Sequence, residues 1–149
     1  MNKCEKALAE PKPEAPDLPI VLVAAAALIN KQGEVFIAQR PEGKSMAGLW
    51  EFPGGKVEQG ETPEFALMRE LEEELAIETR PCCYHPIAFA SHQYETFHLL
   101  MPLFACRVWK GEPTLKEHQN AKWVKPVDML QYPMPEADIP LVTALRDLL

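Results

Sequence analysis

The sequence has no hydrophobic run long enough to cross a membrane. Its longest apolar stretch, from Ile20 to Ile29, has ten residues, whereas a transmembrane helix needs about 20. The segment before it contains Glu5, Glu10 and Glu14, which differs from the basic start of a secretory signal peptide. We therefore expect no membrane partner and a cytoplasmic location.

The sequence also has too little positive charge to attract nucleic acid. Its 15 Lys and Arg residues are outnumbered by 22 Asp and Glu residues, which gives a formal net charge of −7. Proteins that bind duplexes depend largely on basic side chains that neutralise phosphates. Direct binding to DNA or RNA is therefore not expected, although a small polyanion can still bind where a divalent cation neutralises it.

Cysteines are few, and their spacing matches no metal site. Cys82 and Cys83 are adjacent and so rarely pair with each other, and Cys4 and Cys106 lie far away along the chain. Free thiols in a reducing compartment are expected, and no zinc site is predicted.

Length and composition predict one domain behind a tail. A chain of 149 residues is long enough to bury one sizeable core. Residues 1–18 are rich in Pro, Glu, Lys and Ala and have hardly any large apolar side chains, so they cannot offset the entropy of ordering. We expect a mobile N-terminal tail over residues 1–18 and a single domain over residues 19–149.

Strand and helix patterns are mixed along this domain, which predicts the α/β class. The run from Ile20 to Ile29 is apolar on both faces and predicts a central strand covered on both sides. A turn at residues 31–33 leads into Val35–Gln39, which we expect to be its hairpin partner. Further strands are predicted at residues 49–52, 87–91, 98–109 and 121–124, and helical segments at residues 62–75, 127–130 and 139–149.

The predicted helix at residues 62–75 has one apolar and one acidic face. Thr62 is the expected N-cap, and Pro63 suits the first helical position. Phe65, Met68, Leu71 and Leu75, helped by Leu67, form the expected buried stripe. At 100° per residue, a second face about 100° wide holds three carboxylates. They belong to Glu70, Glu73 and Glu74.

The acidic face has two interpretations. Its like charges repel by a few tenths of a kcal/mol per pair, and the C-terminal half of a helix disfavours carboxylates. A charge run is ordinarily a solvated surface, but carboxylate oxygens also suit Mg²⁺ or Mn²⁺. Two features favour the cation site: Gly54 and Gly55 allow close backbone approach, and Arg69 with Glu61 could form an ion pair that holds the carboxylates.

Several of these residues match one pattern, which resembles the box of the Nudix hydrolase family. The matching positions are Gly55, Glu61, Arg69, Glu70, Leu71, Glu73, Glu74 and Ile77, while Ala76 replaces the second glycine of the pattern. The likeness extends over roughly residues 20–149 and is greatest to MutT-like members, which hydrolyse 8-oxo-dGTP and so sanitise the nucleotide pool. It implies a Nudix fold, a mixed β-sheet sandwiched between α-helices (α/β/α).

The resemblance also implies a metal site and a reaction. The expected metal ligands for Mg²⁺, with Mn²⁺ as a substitute, are the carbonyl of Gly54 and the carboxylates of Glu70, Glu73, Glu74 and Glu117. Water attacks the β-phosphorus and releases a nucleoside monophosphate and pyrophosphate. Its proton goes to a carboxylate, for which Glu70 and Glu117 are preferred over Glu74. Arg69 completes the expected catalytic set.

The residues implied for the nucleotide decide the substrate. By resemblance they are Arg40, Ser45, the stretch Glu51, Phe52, Pro53 and Gly54, then Lys56 and Asp138. Asp138 stands where the family typically has an asparagine, and an ionised aspartate can only accept hydrogen bonds. Either Asp138 is protonated in a dry pocket, or it reads a different donor pattern.

Other functions of the same family remain open at this point. The substrate could be dCTP or an undamaged purine nucleotide, or the chain could be a non-catalytic nucleotide-binding module. Such modules typically lose box glutamates, and none is missing here. The expected partner is a small nucleoside triphosphate, and the expected state is a monomer or weak dimer.

Ala76 departs from the box at the end of the helix. A glycine there would suit a left-handed residue, and alanine in that conformation costs about 1 kcal/mol. We therefore expect the helix end to be rearranged, or its backbone not to be left-handed. The acidic residues precede this position, so activity is expected to survive.

Overall fold

The computed structural model describes residues 1–116 and 120–149. In these residues the chain forms three α-helices, seven β-strands and three short 3₁₀ turns, one of which is Glu136–Asp138. The helices are α1 (Lys3–Leu8), α2 (Pro63–Leu75) and α3 (Ile139–Leu148); the strands are β1 (Ile20–Leu28), β2 (Val35–Gln39), β3 (Trp50–Glu51), β4 (Gly54–Lys56), β5 (Tyr84–Gln93), β6 (His98–Cys106) and β7 (Asn120–Val124).

The larger sheet has the strand order β4-β1-β6-β5. β1 runs parallel to β6, whereas β4 and β5 pair antiparallel with their neighbours. The mixed sheet and the central position of β1 are therefore confirmed. None of the helices in the described residues is long and apolar enough to span a membrane.

The predicted hairpin of β1 and β2 is wrong. β2 belongs to a second sheet of order β3-β2-β7, and the two segments meet only at an isolated bridge between Ile29 and Val35. The physical reason lies in β1, because both of its edges in the larger sheet are occupied by β4 and β6. The chain turns at residues 31–33 and leaves that sheet.

Alternate side chains of β1 belong to two hydrophobic cores. Ala25 and Ala27 lie in one core with Leu141, Val142 and Leu145 of α3. Ala24, Ala26 and Leu28 lie in the other with Leu67, Leu71 and Leu75 of α2. Since successive strand residues point to opposite faces, the sheet is covered by α2 on one side and α3 on the other. The expected α/β/α arrangement is confirmed.

α2 begins and ends where the sequence predicts, but its buried stripe is rotated. The backbone N–H of Phe65 donates to Oγ1 of the N-cap Thr62 over 3.3 Å. Phe65 itself is 53% exposed, and Ala66 is buried instead. The prediction for Phe65 is wrong because the face of α2 that packs against the sheet is centred on Leu67, Leu71 and Leu75, which are spaced by four residues.

The end of α2 is left-handed, contrary to expectation. Ala76 has φ 56° and ψ 33°, and its N–H still donates to carbonyls of the last helical turn. The bond from Ala76 to the carbonyl of Glu72 measures 3.1 Å and is the one that defines an αL helix end. These hydrogen bonds and the burial of Ile77 hold the alanine in a conformation that glycine would adopt more easily.

Both chain termini differ in detail from the predictions. The segment 1–18 contains α1, whose cap is formed by the side chains of Asn2 and Glu5 and which has no buried residue. Its mobility stays a prediction. At the other end, α3 ends at Leu148, one residue before the predicted end, and Leu148 and Leu149 are 63% and 48% exposed.

Candidate active site

The turn from β3 into β4 brings Gly54 and Gly55 against two different neighbours. Gly54 pairs with Ala25 of β1 and has φ 154°, and a Cβ on it would overlap the carbonyl of Ala24. A Cβ on Gly55 would lie 2.5 Å from Oε1 and 2.6 Å from Oε2 of Glu70. The two glycines therefore let the turn lie flat on β1 while the Glu70 carboxylate packs over it.

Arg69 connects this turn to the acidic face of α2. Its Nε and Nη2 each lie 2.8 Å from an oxygen of Glu61, which is a two-pronged ion pair. Its Nη2 also donates to the carbonyl of Lys56 over 3.1 Å, and its Nη1 donates to Glu70 over 2.9 Å. The predicted pair of Arg69 and Glu61 is confirmed, and Arg69 acts as a positioning residue.

The ion pair shifts the titration of both partners. The hydrogen bonds from Arg69, followed by one from the backbone of Glu58, lower the pKa of Glu61 to about 2. Glu61 in turn raises the pKa of Arg69 above its ordinary value. Both groups stay charged at any physiological pH, so the link between turn and helix persists.

The three carboxylates on the acidic face of α2 differ in exposure. The Glu70 side chain is 15% exposed and the Glu73 side chain is 59% exposed, while Oε2 of Glu74 is shielded from solvent. Glu73 also contacts Nη1 of Arg69 at 3.4 Å. Glu117 lies outside the described residues, so its place beside the other acids stays a prediction.

The carboxylates of this face supply the oxygen donors that a hard divalent cation such as Mg²⁺ prefers. In the residues that the structure describes, no three His, Cys, Asp or Glu side chains form a ready metal cage. Mg²⁺ typically uses only one or two carboxylates and takes its other ligands from phosphates and water. The Glu70 carboxylate packed over Gly55, with Glu73 and Glu74 on the same helix, supplies oxygen donors of this kind.

A second cluster lies where β2 leads into β3. Nη1 of Arg40 lies 3.1 Å and 3.3 Å from the two oxygens of Glu51, and its Nε donates to the carbonyl of Ser45 over 2.8 Å. Arg40, Ser45 and Glu51 are thus brought together as expected. The contact of Ser45 is made by its backbone, and its side chain is exposed.

Asp138 joins this cluster from the opposite end of the chain. It ends the 3₁₀ turn Glu136–Asp138, is 4% exposed, and accepts a hydrogen bond from the backbone of Phe52. Burial, and next the negative charge of Glu51, raise the pKa of Asp138 to about 7. Burial therefore favours the neutral form of Asp138 near neutral pH, which is the first of the two alternatives from the sequence.

The remaining predicted nucleotide residues have unequal positions. Phe52 is 5% exposed and lies in the core next to α3. Pro53 is buried, and its carbonyl accepts from the N–H of Ala26 over 2.9 Å. Lys56 has an exposed side chain. The structure therefore gives Phe52 and Pro53 a supporting position, and only Lys56 is open to solvent.

Tyr94 is a site neighbour that the sequence did not indicate. It lies just after β5, and the backbone of Ala137 donates to its hydroxyl. Burial raises the pKa of Tyr94, and the charges of Asp138 and Glu136 raise it further. No local motif marks this residue, because its hydrogen bond with Ala137 joins positions far apart in the chain.

Comparisons with known proteins show the family to which this chain belongs. The model of the NUDIX domain family matches residues 24–144. The CTP pyrophosphohydrolase of Escherichia coli K12 is 44% identical over 130 residues, which cover 86% of this chain and 93% of that protein. The 8-oxo-dGTP diphosphatase of the same organism is 36% identical over 128 residues, covering 85% and 96%.

A solved structure gives the same result for the fold. It is a MutT structure from work on Aliivibrio salmonicida and Vibrio cholerae, and it superposes with a TM-score of 0.73 at 34% identity, covering 87% of this chain and 99% of that one. The glycine turn, the Arg69 and Glu61 pair and the acidic helix all lie inside the matched segment. The chain belongs to the Nudix family and is a Nudix hydrolase.

Proposed function

We propose that this protein is a magnesium-dependent nucleoside triphosphate pyrophosphohydrolase that cleaves 8-oxo-dGTP to 8-oxo-dGMP and pyrophosphate. The observation that carries the preference for oxidised over undamaged guanine is the buried carboxyl of Asp138, whose pKa is raised to about 7. The observation that supports the chemistry is the Glu70 carboxylate packed over Gly55 and bound by Arg69.

The phosphate end of the site is proposed on α2. Glu70, Glu73, Glu74, Glu117 and the carbonyl of Gly54 would hold the metal, and Glu70 or Glu117 would accept the proton of the attacking water. When bound, the metal neutralises the triphosphate and acidifies a coordinated water. Arg69 holds Glu70 in place, and the exposed Lys56 is available to a phosphate.

The base end is proposed at Asp138. A neutral carboxyl has one donor and one acceptor side by side, as the amide of asparagine does. Guanine presents two neighbouring acceptors, N7 and O6, whereas 8-oxoguanine carries a hydrogen on N7 next to the O6 acceptor. A protonated Asp138 therefore matches the oxidised base. Against undamaged guanine its O–H meets one acceptor, but its carbonyl oxygen faces the other acceptor without a hydrogen between them.

A cytidine nucleotide is the second candidate, because a CTP pyrophosphohydrolase is 44% identical to this chain. Cytosine has an amino donor at N4 next to the N3 acceptor, so it also fits a neutral carboxyl. Asp138 alone does not separate these two bases, and the size of the pocket must do so.

The test is a panel of 8-oxo-dGTP, dGTP, CTP and dCTP, assayed for pyrophosphate release with Mg²⁺. We expect kcat/KM for 8-oxo-dGTP to exceed that for dGTP by about 100-fold, the scale of a mismatched pair of hydrogen bonds. A ratio below about tenfold would contradict the sanitising role. A higher kcat/KM for CTP or dCTP than for 8-oxo-dGTP would establish the second candidate instead.

A further inference from the structure

We propose that Glu51 determines base specificity indirectly, because its negative charge keeps a proton on the carboxyl of Asp138 and so preserves the donor that this carboxyl offers to the base. This inference rests on the proposed function, since it assumes that the base lies against Asp138. It gives Glu51 the role of a positioning residue and not of a ligand.

The geometry places the two carboxyls on adjoining backbone segments. Glu51 ends β3, and the next residue, Phe52, donates its N–H to the carboxyl of Asp138. The backbone N–H of Asp138 is itself bound to Pro135 over 3.0 Å, so the turn that carries this residue is fixed. Asp138 is 4% exposed, and a buried carboxyl beside a second negative charge favours its neutral form.

Arg40 fixes the position from which the charge of Glu51 acts. Its Nη1 contacts both oxygens of Glu51, while its Nε is held by the carbonyl of Ser45. The Glu51 side chain is 21% exposed, so solvent screens it less than a surface carboxylate. Arg40 therefore acts on the base site through Glu51.

The other titratable groups around Asp138 lie on β5 and on the 3₁₀ turn. Tyr94 is neutral at pH 7, since the ordinary pKa of tyrosine is about 10 and burial raises it further. The Glu136 side chain is 81% exposed and pairs with Nε2 of His92 at 3.4 Å, so solvent screens its charge. Glu51 is the acid whose charge raises the pKa of Asp138.

The inference predicts how base selection changes with pH. Below about pH 7 the neutral carboxyl of Asp138 donates and accepts, and above it the ionised carboxyl only accepts. Selectivity for a base with a donor next to an acceptor should therefore fall as pH rises through about 7. We call the pH at which this selectivity falls the break. Removing the charge of Glu51 should move the break to lower pH.

The first test measures binding of 8-oxo-dGMP, CMP and dGMP to the metal-free protein by calorimetry across this pH range. For the wild type, we expect the preference for 8-oxo-dGMP or CMP over dGMP to fall by about tenfold above the break. Glu51→Gln should lower the break by about one pH unit. Glu51→Asp keeps the charge and should show the break at the wild-type pH. Asp138→Asn should show no break.

Three results would overturn the inference: a break at the same pH in Glu51→Gln, a break that persists in Asp138→Asn, or no discrimination between the monophosphates at any pH. Glu42→Gln, an exposed change in the neighbouring loop, should behave as the wild type. Absence of pyrophosphate release would count against the proposed function. The binding results would still test the role of Glu51, because they do not depend on turnover.

A second test needs no ligand. The Phe52 amide donates to Asp138, so its ¹⁵N–¹H chemical shift should titrate with that carboxyl. We expect its midpoint to lie near pH 7 in the wild type and about one unit lower in Glu51→Gln. An unchanged midpoint would contradict the inference even if the nucleotide panel confirmed the enzyme.

Discussion

Gly55 leaves the space in which the carboxylate of Glu70 lies. A Cβ at Gly55 would stand 2.5 Å from Oε1 and 2.6 Å from Oε2, closer than carbon and oxygen atoms can pack without a bond. Because Glu70 can rotate away, the cost of a side chain here would fall on the position of the carboxylate and not on the backbone. Gly54 differs, since its neighbour is the backbone of Ala24.

This contrast predicts different effects of two alanine substitutions. Gly55→Ala should keep the free energy of unfolding within about 1 kcal/mol and lower kcat/KM by about 100-fold, because a misplacement near 1 Å is enough for such a loss. Gly54→Ala should destabilise the fold by more than about 2 kcal/mol. Urea unfolding and pyrophosphate release measure the two effects, and equal activity of Gly55→Ala and wild type would show that Glu70 needs no such space.

The pair of Arg69 and Glu61 predicts a pH-dependent stability. The pKa of Glu61 is lowered to about 2 from 4.5, so its contribution is fully present above about pH 4.5 and is lost as pH falls toward 2. The Tm difference between wild type and Glu61→Gln should therefore be largest near pH 6 and shrink on acidification. Glu72→Gln, an exposed change on α2, should show no such trend. A difference independent of pH would contradict the pairing.

The raised pKa of Asp138 predicts that stability changes with pH in the opposite direction. Its pKa is raised from 3.8 to about 7, so its stabilising contribution is present below about pH 4 and is lost as pH rises through about 7. The side chain of the Asp138→Asn variant cannot ionise, so the stability of this variant relative to wild type should increase by up to about 3 kcal/mol between pH 5 and pH 8. Asp147→Asn, an exposed change on α3, is the control. A constant Tm difference over this range would disprove the raised pKa.

Ala76 predicts a stabilising substitution. Its φ of 56° is in the left-handed region, where a Cβ costs about 1–2 kcal/mol, and glycine adds back about 0.5–1 kcal/mol of unfolded-state entropy. Ala76→Gly should therefore raise the free energy of unfolding by about 0.5–1 kcal/mol with kcat unchanged. Urea unfolding measures the first quantity, and a destabilised variant would show that the alanine has another role.

The sequence predicted the parts of this fold that short-range patterns determine. The cap and end of α2, the double-sided burial of β1 and the pairing of Arg69 with Glu61 follow from spacing within a few residues or within one box. The hairpin of β1 and β2 failed because occupancy of both edges of β1 depends on β4 and β6, which arrive later in the chain. Local periodicity carries no information about such competition.

In the candidate site, too, the sequence predicted the features that local patterns determine and missed those that depend on distant residues. The acids of α2 and the glycine turn were found from the box, whereas the raised pKa of Asp138 depends on burial against Phe52 and on the charge of Glu51. Those residues lie far from Asp138 in the chain, so the sequence could offer two alternatives but not choose between them. Tyr94 was missed for the same reason.

The central claim is that the acidic face of α2 holds the metal that hydrolysis needs, and one measurement tests it most directly. Pyrophosphate release from 8-oxo-dGTP and CTP is titrated with Mg²⁺ for wild type, Glu73→Gln and the matched control Glu72→Gln, with circular dichroism to show that each variant is folded. We predict that Glu73→Gln loses at least about 100-fold in kcat/KM while Glu72→Gln stays near wild type. A folded Glu73→Gln protein with wild-type, magnesium-dependent turnover would contradict the account.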